Sequence, residues 1–102
     1  MRSQRIADRQ QAIDRELNAE RAAALLRISR TLESLIAQLH ASRERLTHLA
    51  DADRQRAETA YTDLRREALR YRWYLEVQRE ALGLRHHHRL DEFYAIPAPL
   101  ER

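Results

Sequence analysis

From Met1 to Leu82 the sequence contains neither glycine nor proline; its single glycine is Gly83 and its first proline is Pro97. A run of 82 residues without either of the strongest backbone breakers restricts the chain to long helices. Ala, Leu, Arg, Glu and Gln dominate it, and Val77 is the only valine, so local propensity and the lack of breakers agree. The fold class is all-α.

Length limits what those helices can bury. At 102 residues there is room for one domain, and 34% charged against 43% hydrophobic residues implies much solvated surface over a thin core. Self-association into a helical bundle, most simply a dimer, is the expected remedy. The absence of cysteine excludes disulfides, thiolate metal sites and thiol catalysis. No apolar stretch approaches the roughly 18 residues of a membrane span, and Met1 to Glu20 carries no signal-type apolar region, so the expected location is cytoplasmic. All 19 basic residues are arginine, a bias that accords with GC-rich coding as well as with anion binding. The net charge of +3 lies in residues 1–30, with seven arginines against Asp8, Asp14, Glu16 and Glu20.

Apolar spacing locates the seams. Ile28, Leu32, Leu35, Leu39, Ser42, Leu46 and Leu49 alternate at three and four residues, and so do Tyr61, Leu64, Ala68, Tyr71, Leu75, Gln78 and Leu82. Continuing the first rhythm would put Asp53 and Arg56 at core positions and arrive at Ala60, one residue out of phase with Tyr61. Two architectures accommodate the break: an antiparallel hairpin turning within Ala50 to Thr59, with Asp51 or Asp53 capping the second helix, or one continuous helix with a phase slip. The charged core positions favour the hairpin. Its arms cover about 1–49 and 54–82 around a charged turn, and the two seams, each about 33 Å long, match. Residues 83–102 form a separate C-terminal unit.

The second arm has apolar surface beyond its seam. Leu69, Trp73 and Val77 form another stripe with Tyr74 beside it, which marks an association face whether the occupant is a second copy or a different protein. Toward the N-terminus, Ile6, Ile13 and Leu17 continue a sparse apolar face that overhangs the matched arms. Gly83 follows the last seam residue, where a left-handed residue ends a helix. Leu90, Phe93 and Tyr94 then share one side of a short helix that folds back on the hairpin, with Leu82 placed near Ile28. The extended segment Ile96-Pro97-Ala98-Pro99-Leu100 offers Ile96 and Leu100 as anchors, either along its own chain or on another protein.

Chemistry-bearing motifs are sparse. His86, His87 and His88 with Asp91 and Glu92 give i,i+4 pairs, but three successive histidines diverge on a helix and no second spaced pair accompanies them, so no metal or cofactor is expected. No nucleophile triad, phosphate loop or Glu-x-x-His spacing is present, and the chain is expected not to be an enzyme. Arg65, Arg66, Arg70 and Arg72 around Tyr71, Trp73 and Tyr74 suggest nucleic-acid binding as an alternative, although Asp63, Glu67, Glu76 and Glu80 dilute the charge. The sequence therefore reads as a non-enzymatic coiled-coil interaction protein, structural, adaptor or regulatory, that self-associates and docks a protein partner. The interface candidates are Leu69, Trp73, Tyr74, Val77, Ile96, Pro97, Pro99 and Leu100.

Overall fold

The computed structural model describes residues 1–101; Arg102, the last residue of the expected C-terminal unit, lies outside them. Helix α1 (Arg2–Leu46) is followed by α2 (Asp51–Ala81) and the short α3 (Leu90–Phe93), and no strand occurs among the described residues. The two long helices pack against each other as a hairpin measuring 75 × 23 × 15 Å. The chain does turn, and one continuous helix is excluded.

Both seams supply the core. Leu32 and Leu39 are fully buried and Leu35, Ser42 and Leu46 nearly so; from α2 come Tyr61, Ala68 and Leu75, with Leu64 and Tyr71 packed at the margin. Alternating Leu with small residues lets the helices approach closely, and Ala68 lies in the same buried cluster as the bulk of Tyr61.

The turn lies earlier than the spacing implies. Helix α1 ends at Leu46, and the amides of Thr47, His48 and Leu49 bond three residues back as the last turn tightens. Ala50 is extended and Asp51 takes a positive φ of 52°, a conformation Asp tolerates better than most residues. Neither Asp51 nor Asp53 caps α2, since the N-cap is Ala50 and no side chain bonds there. Instead Asp53 pairs with Arg56, and both are exposed. Arg54 Nη1 donates to the Leu46 carbonyl at 2.7 Å, a second donor to that oxygen beside the Leu49 amide, and ties the end of α1 to α2 across the turn. A side chain four residues into α2 thus stabilises a turn that has no glycine.

Helix α2 ends as the sequence implies. Gly83 has φ 86°, its amide donates to Glu80 O, and the Leu84 amide reaches back to Arg79 O, the paired bonds of a Schellman motif. The chain then returns along the hairpin. Leu90 is buried and Tyr94, Ile96 and Leu100 pack on the core, but Phe93 points outward, 68% exposed beneath the Arg89 guanidinium. The chain leaves helical geometry at Tyr94 (φ −127°, ψ 55°), and of the three apolar residues only Leu90 and Tyr94 turn to the core. Helix α1 is 14 residues longer than α2, and Leu75 and Arg79 border the same groove as Ala22, Leu25 and Ser29. This sets Leu82 nearer the overhang than the expected neighbour Ile28. Every residue from Met1 to Glu20 is exposed.

Candidate docking face

Leu69, Trp73 and Val77 recur every four residues of α2, on the flank turned away from α1, and are 44, 59 and 39% exposed. Tyr74 links this stripe to the core. Its ring lies edge-on to the half-buried Tyr71 at 5.4 Å and tilted against Trp73 at 5.6 Å. Pairs of this geometry add about 0.5–1.5 kcal/mol to area burial, which holds an exposed indole in place without covering it.

The returning tail forms the opposite wall. Leu69 and Trp73 share a shallow depression with Arg65, Arg72, Tyr94 and Ile96, so the α2 stripe and the first tail anchor, far apart in sequence, become neighbours. Val77, Pro97, Pro99 and Leu100 do not line it. The Pro97 carbonyl accepts from Arg65 Nε at 2.8 Å, Pro99 is exposed, and Leu100 packs on the core cluster. The tail lies in cis, as a strap.

Arg72 is the electrostatic centre of this region. Its guanidinium donates to Glu76 Oε1 at 2.7 Å and Asp91 Oδ1 at 3.1 Å, joining α2 to α3, and its Nε is buried without a partner. The neighbouring arginines are also engaged: Arg65 with the tail, Arg66 with Asp63 and Arg70 with Glu67. Apolar surface in the depression is therefore rimmed by fixed, largely compensated charge. Such a surface suits desolvated contact with another macromolecule better than enclosure of a small ligand.

The histidines are divided. His87 Nδ1 accepts from Arg79 Nε at 3.3 Å and its Nε2 lies 3.2 Å from Glu80 Oε1, while the His86 carbonyl accepts from Arg79 Nη2. One tautomer, protonated at Nε2, satisfies both side-chain contacts of His87. His86 and His88 remain exposed, and no group of three or more ligating side chains is assembled among the described residues. No helix there is long and apolar enough to cross a membrane.

Three residues hold the tail, Arg43, Tyr61 and Arg65, a role the sequence does not reveal: it places Tyr61 in the seam and Arg65 in the arginine cluster. Their contacts span 32 to 55 positions, beyond any local pattern. The one available signal is the Pro-Ala-Pro stretch, whose carbonyls cannot be consumed by a helix and need donors from elsewhere. The chain matches no known protein family, and no curated protein or solved structure is similar to it.

Proposed function

We propose that this chain is a non-enzymatic interaction protein, a structural, adaptor or regulatory subunit, which self-associates through coiled-coil packing and docks a protein partner on the face made by Leu69, Trp73, Tyr74 and Val77. The observation that carries this reading is Trp73: the only tryptophan in the chain stands 59% exposed at the centre of an apolar stripe, beside arginines held in ion pairs. Tryptophan, tyrosine and arginine are the residues enriched at interface hot spots, and all three stand together here. The tail contributes Ile96 as the far wall, and Pro97, Pro99 and Leu100 keep that wall in position.

Native mass determination tests the reading. Trp73→Ser combined with Val77→Ser is expected to remove the partner from the native complex while leaving helical content unchanged, because both side chains are exposed in the single chain. An intact complex in that variant would refute the docking face.

A second reading, binding to nucleic acid, draws on Arg2, Arg5 and Arg9, which are exposed on the overhang. A salt-sensitive gel shift lost on replacing these three with Gln would favour it. Unchanged mobility of excess DNA or RNA at low salt would exclude it.

A further inference from the structure

The overhang carries an apolar surface that the docking face does not use. Ile6, Ile13 and Leu17 are 68, 49 and 42% exposed. With Ala24 they recur at spacings of seven, four and seven, which confines them to about 40° of helical arc. Leu35 and Ser42 fall in the same sector, and both are buried under α2. Helix α1 therefore exposes before Arg21 the face that it buries after Thr31, and α2, ending at Ala81, leaves the first part bare.

We infer that this face is covered by the same face of a second copy of the chain, the two overhangs lying antiparallel in a symmetric two-helix seam that extends the hairpin's own. The inference rests on the self-association proposed above and locates it. A two-fold antiparallel register sets Ile6 opposite Leu17 of the second copy and Leu17 opposite its Ile6, with Ile13 facing Gln10. Arg9 and Glu16 flank the stripe on one edge, and this register brings Arg9 of each copy toward Glu16 of the other, two complementary pairs from one sequence. A parallel arrangement fails sterically. Helix α1 is unbroken from the overhang into the hairpin, so a parallel copy following the same face would run into α2. Antiparallel pairing sends the two hairpins to opposite ends and brings the first turn of the second copy level with Arg21, where the cover given by α2 begins. Trp73 then stays free for a different protein.

Sedimentation velocity over a concentration series, on the full chain, tests this. Wild type is expected to show a monomer–dimer equilibrium. Ile13→Glu with Leu17→Glu is expected to raise the dissociation constant about tenfold or more, since four unpaired charges enter the seam, while far-ultraviolet dichroism still reports the hairpin. Because the chain has no cysteine, mixing Ile6→Cys with Leu17→Cys and oxidising is expected to give covalent dimers well above those from Ile6→Cys alone. Three results would overturn the inference. Efficient cross-linking of Ile6→Cys with itself would mean a parallel pair. A dimer that resists the glutamates but dissociates on changing Trp73 and Val77 would retain self-association and move it to the docking face. A wild-type monomer at every concentration would remove both.

Discussion

The Tyr61 hydroxyl and the Arg43 guanidinium meet at 3.1 Å and share one acceptor, the Ala98 carbonyl, at 2.7 and 2.8 Å. Tyr61 is the largest fully buried side chain, so its ring belongs to the seam while its hydroxyl receives from one helix and donates to the tail. Pro97 and Pro99 hold the backbone on either side of Ala98 extended, which leaves that carbonyl open to both donors. Two helices and the strap are joined at a single oxygen.

Tyr61→Phe keeps the ring and removes the hydroxyl. It is expected to cost about 1 kcal/mol in urea unfolding and to speed proteolysis after Tyr94. Wild-type stability together with wild-type cleavage would show that Arg43 and Arg65 hold the strap alone.

Leu39 is fully buried between the helices, whereas Leu26 is half exposed beside α3. Leu39→Ala should lose about 2–5 kcal/mol, which for so thin a core approaches the whole stability. Leu26→Ala should lose much less. Equal losses in denaturant titrations would mean that the groove around Leu26 is as tightly packed as the seam.

Gly83 has open space where a Cβ would go, and its φ is 86°, so replacing it probes backbone conformation alone. Gly83→Ala is expected to cost about 1–2 kcal/mol, and Gly83→Asn less, because Asn enters the left-handed region more readily. Thermal melts of the pair check the order, and an alanine variant as stable as wild type would contradict it.

At Asp51 the same test runs the other way. Its positive φ is paid for without glycine, so Asp51→Gly should be neutral or stabilising by up to about 1 kcal/mol and Asp51→Val clearly destabilising. If urea midpoints rank valine above glycine, the left-handed conformation does not govern the turn.

The seams were legible because Leu32, Leu35, Leu39 and Ser42, and Tyr61, Ala68 and Leu75 opposite them, repeat at helical spacing and are buried for that reason. The end of α2 was equally legible, since Gly83 has few structural roles other than the one it fills. The turn was readable only as an interval. Asp53 and Arg56 mark where the first rhythm fails, but the chain reverses at Thr47 to Ala50, and the bond that secures this, Arg54 to Leu46 O, crosses from one helix to the other. Leu69, Trp73 and Val77 announced themselves as surplus to the seam. That Ile96 would stand opposite them depended on a strap whose donors lie tens of residues away, and no local pattern encodes such a meeting.

The unequal lengths of α1 and α2 mean that the molecule has no single stability. Around 20 residues of isolated helix are marginal in water, so the overhang should fray continuously from Arg2 while the segment beneath α2 opens only with the hairpin. Amide exchange measured along α1 should therefore be uniformly slow from Leu46 back to about Arg21 and rise from there to Arg2, and whatever pairs with the overhang would flatten that rise.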